Sequence, residues 1–258
     1  MSQPVVVVHR DPTVLADAVA ARLITRLVDV QAARGSGSVV LTGGGVGIAT
    51  LAAIASSPAR AAVDWSRLDV WWGDERYVPP GDSERNETQA RAALLDRVPV
   101  DPARVHPMLA DDGVTAPEQA AERYADELAA ASRPEDHGEV PSFDVLLLGV
   151  GPDGHVASLF PGEPALYERE RAVVAVRGAP KPPPTRITLT LPAIQSATEV
   201  WLVAAGEEKA SAVRLALAGA GDVQVPAAGA RGRQRTLWLL DRAAAAKLPP
   251  GLDRVASP

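Results

Sequence analysis

His155 stands in the run GVGPDGHVASLFPG at 149–162, directly after the most hydrophobic stretch of the chain, FDVLLLGV. An imidazole just beyond a strand suits general-base work near neutrality, because its unperturbed pKa is about 6.5. Asp153 is close enough in sequence to orient the ring or to share the site. The other histidines have no such setting: His9 ends an edge-like strand, His106 lies in a connecting segment and His137 in a polar loop.

Three further segments carry groups that fit chemistry on an anionic ligand. WWGDERYVPP at 71–80 places Asp74, Glu75 and Arg76 in what reads as a loop after a strand. Asp74 and Arg76 are expected in the cleft, the guanidinium suited to bidentate contact with hydroxyls, carboxylate or phosphate. LTGGGVG at 41–47 reads as a strand end opening a helix: Thr42 offers a hydroxyl, and Gly43, Gly44 and Gly45 let backbone N–H groups approach a phosphate closely. The segment lacks the Lys-Ser/Thr pair of a Walker A loop. Lys209, in the first turn of a helix after Gly206, falls on the same rim. Arg186 opens a strand, and the neighbouring PKPPPT loop would bring it to the site.

The stretch GVGPDG at 149–154 also fits G-x-G-x-x-G after a strand. Asp153 would put a carboxylate where a pyrophosphate sits, and Pro152 removes a backbone donor. The stretch therefore reads as the turn that presents His155.

These groups need a frame, and the hydropathy pattern supplies one. Short Val/Leu-rich runs at 5–9, 38–42, 68–72, 143–150, 186–191, 200–204 and 236–240 read as strands. Ala-rich amphipathic segments at 13–33, 48–55, 86–96, 117–131 and 207–218 read as the helices between them. That alternation predicts an α/β fold: an open, mostly parallel, doubly wound (Rossmann-like) sheet with helices on both faces. Ligands in such folds bind beyond the carboxyl ends of the strands, which selects the Gly-rich, GDER and GPDGH segments. Two stretches leave the pattern. The polar segment 132–142 reads as a solvated loop, and 178–185, with PKPPPT, as a stiff extended one bordering the pocket.

Composition narrows the class. With 258 residues, 47% of them hydrophobic and 22% charged, the chain is expected to fold as one domain over 1–258. A net charge of −6 argues against general nucleic-acid or membrane-surface binding, while a few placed cations still suffice for a small anion. The chain has no cysteine, which excludes disulfides and thiolate chemistry. No apolar run reaches the length of a spanning helix or a signal peptide, so a cytoplasmic location is expected.

Taken in order, LTGGGVG, WWGDERYVPP, FDVLLLGVGPDGHVASLFPG, PPPTRITLTLPAI and the GEEKA run resemble the 6-phosphogluconolactonase family along nearly the whole chain. The resemblance implies the fold of glucosamine-6-phosphate deaminases and ribose-5-phosphate isomerases. It implies hydrolysis of 6-phospho-D-glucono-1,5-lactone in the oxidative pentose phosphate pathway, with no cofactor or metal. By position, the family's GDGH histidine falls on His155, its GDER aspartate and arginine on Asp74 and Arg76, and its phosphate-site cations on Arg186 and Lys209. The family often reads SGGSTP where Gly45, Val46 and Gly47 stand here, so phosphate binding at this loop must rest on backbone N–H groups and Thr42. The expected site is thus His155, Asp74 and Asp153 for chemistry, with Thr42, Gly43, Gly44, Gly45, Arg76, Arg186 and Lys209 for substrate. The expected partner is a small phosphorylated sugar lactone, bound by a monomer or small homo-oligomer. Two alternatives remain: a glucosamine-6-phosphate deaminase, whose relatives carry a glutamate in a GFNEP-like run where this chain has ASLFPG, and a non-catalytic sugar-phosphate sensor.

Overall fold

The computed structural model describes residues 3–136, 138–249, 251–252 and 254–256; His137 lies outside them. The first half of the chain forms β1 (Val5–His9), α1 (Pro12–Arg34), β2 (Gly37–Leu41), α2 (Gly44–Ser56), β3 (Leu68–Trp72), β4 (Asp74–Arg76), α3 (Asn86–Ala93) and α4 (Pro117–Ala131). The second half forms β5 (Val145–Gly149), β6 (Val173–Val176), β7 (Arg186–Leu189), α5 (Leu191–Gln195), β8 (Glu199–Ala204), α6 (Ala210–Leu217), α7 (Pro226–Gly229), β9 (Arg235–Asp241) and β10 (Arg254–Ala256).

Seven strands form one sheet in the order β10-β1-β9-β8-β5-β2-β3, and every neighbouring pair is parallel. Its central strands are apolar throughout because both faces are covered. In β5, Val145 and Leu147 enter one core and Leu146 and Leu148 the other; in β8, Trp201 and Val203 oppose Val200 and Leu202. On the first face lies α1, started by Asp11, whose side chain accepts from Val14 N at 2.9 Å, and by Pro12 at its first turn. Its stripe of Leu15, Val19, Leu23, Leu27 and Val30 is buried. On the other face α4 buries Ala120, Ala121, Tyr124 and Leu128. Among the described residues no helix is long and apolar enough to cross a membrane.

The order of strands fixes where a ligand can enter. From β2 the chain runs through α2 outward to β3, whereas from β5 it proceeds to β8 on the opposite side. Neighbouring strands whose connections diverge leave a crevice at their carboxyl ends. Here that crevice lies between Thr42 and Gly149, the residues closing β2 and β5.

Several expectations are corrected. The segment 186–191, read as a strand of the wound sheet, contributes β7 to a separate antiparallel sheet in the order β4-β7-β6. The reason is visible in RITL: Ile187 and Leu189 join the core, while Arg186 and Thr188 turn to the other face, the alternation of a sheet with unlike sides. GDER is not a loop, since β4 pairs Asp74 with Thr188 and Arg76 with Arg186. His9 does not end an edge strand: β1 lies between β10 and β9, and His9 is buried. The second helix begins at Gly44, not at 48, which puts Gly44 and Gly45 in its first turn. The helix read over 86–96 stops at Ala93, and the one over 207–218 divides into a 3-10 turn, Glu207–Lys209, followed by α6.

Candidate active site

A cleft of about 420 Å³ opens at the divergence point of the large sheet, within the range of small-ligand sites. At its floor the Thr42 hydroxyl accepts from Gly149 N at 3.2 Å, tying the ends of β2 and β5. The first turn of α2 faces the same space through Gly44, Gly45 and Val46, where helix N–H groups have no intrahelical partner. Gly43, which precedes that turn, must be glycine for reasons of space: a Cβ there would fall 1.8 Å from Asn86 Oδ1.

Beyond β5 the chain turns back on itself, with Gly154 N donating to Gly151 O and Gly151 N to His155 O, each at 2.9 Å. A Cβ on Gly151 would lie 2.0 Å from His155 Nδ1, so the ring occupies room that only glycine leaves. The imidazole packs against Phe160, with ring centroids 4.5 Å apart, and its side chain is 16% exposed. Its Nδ1 lies 2.5 Å from Asp153 Oδ1. Burial pushes the Asp153 carboxyl up, but the hydrogen bond from His155 and the charge of Lys181 outweigh it and hold the group far below the usual carboxylate range. An ionised Asp153 accepts the Nδ1 proton, which leaves Nε2 as the nitrogen with a lone pair.

The small sheet brings the second set of groups. Asp74 is 7% exposed; its Oδ2 accepts from Ser158 Oγ at 2.7 Å and lies 4.0 Å from Arg186 Nη1. Arg76 Nη1 donates to Asn86 Oδ1 at 2.5 Å and to Glu84 O at 2.9 Å. Between them Glu75 is 1% exposed and caps α3 from outside, accepting from Asn86 N at 2.7 Å and Glu87 N at 2.9 Å. Burial raises the Glu75 pKa, opposed by the charge of Arg85 and by those N–H bonds. Arg85, equally buried, donates to Met108 O at 2.7 Å and lies 3.7 Å from Glu75. This buried pair locks β4 to α3 and so fixes Asp74, Arg76 and Asn86 around the cleft.

Of the expected cations, Lys209 lines the cleft beside Glu208, and its pKa is lowered first by burial and further by Lys181, against Glu208 and Asp153. Arg186 also reaches the cleft, but its Nε donates to Pro183 O at 3.1 Å and its Nη2 to Lys181 O at 3.0 Å and Pro182 O at 3.1 Å. Its Nη1 lies 3.4 Å from Ser158 Oγ. Burial lowers its pKa, as does Arg76, while Asp74 opposes.

The chain is similar to known proteins over most of its length. The model of glucosamine-6-phosphate isomerases/6-phosphogluconolactonase matches residues 10–238. The chain belongs to this family. It is 66% identical over 256 residues to a 6-phosphogluconolactonase of Streptomyces coelicolor, covering 98% of each chain. The solved structure of the Trypanosoma brucei 6-phosphogluconolactonase superposes with a TM-score of 0.83 at 29% identity, covering 96% of this chain and all of that one. A solved monomeric glucosamine-6-phosphate deaminase, 20% identical, shares the fold with a TM-score of 0.73 over 93% of this chain and 99% of that one.

Within this glucosamine-6-phosphate isomerase/6-phosphogluconolactonase fold, Thr42, Gly43, Gly44, Gly45, Asp74, Arg76, His155, Arg186 and Lys209 all line one cleft. Asp153 stands behind the ring of His155 and is not among the lining residues. Sequence reading passed over Asn86, Ser158 and Lys181. Asn86 and Ser158 meet Asp74 only through folding, and neither lies at a strand end. Lys181 did leave a signal, the PKPPPT loop expected to border the pocket, yet the lysine itself was not singled out. Among the described residues no group of three or more His, Cys, Asp or Glu side chains is placed to hold a metal ion.

Proposed function

We propose that the chain is a 6-phosphogluconolactonase, hydrolysing 6-phospho-D-glucono-1,5-lactone to 6-phospho-D-gluconate. The observation that carries this reading is the pairing of His155 Nδ1 with Asp153, which leaves Nε2 as a base in a cleft lined by cations. Nε2 takes a proton from water as that water attacks the C1 carbonyl. N–H donors of the α2 turn or Arg76 stabilise the oxyanion, and collapse of the tetrahedral intermediate expels the ring oxygen, which recovers the proton from His155. Because a δ-lactone is a reactive ester, a base contributing about 10²- to 10⁴-fold, together with positioning, is sufficient. The phosphate, held by Lys209 and the Gly-rich turn far from C1, orients the ring.

Asp74 is best read as a support, since its carboxylate is engaged with Ser158, Asn86 and Arg186. We read the working unit as one domain, a monomer or small homo-oligomer. The dianionic substrate would be retained by its charge in the cytoplasm, where we place the enzyme. The test is hydrolysis of freshly generated 6-phosphogluconolactone, corrected for spontaneous opening. Catalysed acid release supports the reading; ammonia release from glucosamine 6-phosphate with no lactone turnover would replace it with the deaminase.

A further inference from the structure

Asn86 opens α3 and is buried, 2% exposed. Its Oδ1 fills the place that a Cβ on Gly43 would take, and its Nδ2 donates to Asp74 O of β4 at 2.8 Å. One amide therefore joins the Gly-rich turn after β2 to the strand that carries Asp74 and Arg76, two walls of the cleft built by different sheets.

The amide is committed at both ends. Besides Asp74 O, Nδ2 reaches Asp74 Oδ1 at 3.4 Å, while Oδ1 accepts from Arg76 Nη1 at 2.5 Å. A guanidinium only donates and a backbone carbonyl only accepts, so the atom facing Arg76 must be an acceptor and the one facing Asp74 O a donor. The main chain is held too, with Asn86 N donating to Glu75 Oε1 at 2.7 Å. Such an amide has little left for a ligand. Arg76 is in the opposite condition. Among the described residues both of its side-chain hydrogen bonds are made through Nη1, to Asn86 Oδ1 and Glu84 O, and its Nε has no partner. The guanidinium is thus anchored by one nitrogen to the start of α3, and Nη2 remains for the cleft that Arg76 lines.

We propose that Asn86 is a positioning residue for lactone hydrolysis, acting through Arg76: it braces the guanidinium against the oxyanion that develops at C1 and sets the spacing between Gly43 and β4. The inference rests on the lactonase reading above. An arginine has several rotatable bonds, and a fixed donor stabilises the transition state better than one that must be ordered during the reaction. Asn86 supplies that order before the substrate arrives, and it does so without touching the lactone.

The test compares Asn86→Ala, Asn86→Asp, Arg76→Met and the double variant of Asn86→Ala with Arg76→Met against the wild type, reading kcat and KM for 6-phosphogluconolactone. Asn86→Ala is expected to lower kcat by about 10- to 100-fold and to change KM by less than about 3-fold, because a misplaced group at the reacting carbon costs transition-state stabilisation more than binding. Asn86→Asp keeps the shape but turns an acceptor toward Asp74 O, so it should lose at least as much; a residue that only fills space would be replaced by it without loss. In the Arg76→Met background the Asn86→Ala loss should shrink below about 2-fold, because a residue acting through another is not additive with it. Gly43→Ala pushes the same amide aside and should lower kcat too, yet added to Asn86→Ala, which vacates the room, it should cost less than about 2-fold more. Wild-type kcat in Asn86→Ala or Asn86→Asp would overturn the proposal, as would losses that multiply with Arg76→Met, which would place Asn86 on the lactone itself. Should Asn86→Ala fail to fold, Asn86→Asp and Gly43→Ala decide. A wild type that turns over no lactone would sink the lactonase reading instead. Crystal structures of the wild type and Asn86→Ala would still judge the brace: it predicts a displaced Arg76 guanidinium in the variant, and one that keeps its place would overturn it.

Discussion

Two histidines of this chain sit beside carboxylates, and they are arranged for opposite ends. His155 touches Asp153 through Nδ1, has Lys181 beside it and lines the cleft. His106, beside the start of β3, is held at both nitrogens, Nδ1 2.6 Å from Glu127 Oε1 and Nε2 3.4 Å from Asp69 Oδ1, and its ring stacks on Trp71 at 3.8 Å between centroids. Burial disfavours charge on His106, yet the bonds and charges of Asp69 and Glu127 outweigh it and raise the pKa to about 9. Two carboxylates and no free nitrogen make an imidazole that keeps its proton and joins α4 to β3. One carboxylate, a cation and a free nitrogen make one that can pass a proton on.

The largest effect is expected at the cleft. His155→Ala should lower kcat for the phosphorylated lactone by about 10²- to 10⁴-fold, measured against the spontaneous rate. Asp153→Asn should cost on the order of 10- to 10³-fold in kcat, because the ring loses the charge that fixes its tautomer; a loss confined to KM would show that Asp153 serves binding instead.

His106 should act on stability, and its sign is set by the raised pKa. The folded state binds this proton more tightly than the unfolded chain, whose histidine titrates near about 6.5. The contribution is therefore complete below that pH and lost as pH rises through about 9. Urea unfolding at pH 6 and at pH 9.5 should differ by at most about 3 kcal/mol more in the wild type than in His106→Gln. An equal pH dependence in both would remove His106 from the account.

The contrast also explains what could be read in advance. His155 was legible because position at the carboxyl end of a strand is a property of local pattern, and Thr42 through Gly45 and Lys209 were legible for the same reason. The doubly wound sheet followed from apolar runs that only strands buried on both faces require. The small sheet was not legible as such. Its β4 is three residues of charged sequence made a strand by pairing with β7, more than a hundred residues later, and β6 is a short VVAV run. Asp74 and Arg76 were expected at the cleft, but as loop residues, and the hydrogen bonds of Arg186 go to carbonyls of a proline loop that no residue pattern reveals. The clamp on His106 was hidden likewise, since Glu127 and Asp69 lie on separate elements.

The most direct test sets the two histidines side by side, measuring 6-phosphogluconolactone turnover and thermal unfolding on His155→Ala and His106→Ala at pH 6. The account predicts a crossed result. His155→Ala loses at least about 100-fold in turnover and melts close to the wild type, whereas His106→Ala melts at a lower temperature and keeps its turnover. Near wild-type turnover in His155→Ala would contradict it, whatever His106→Ala does.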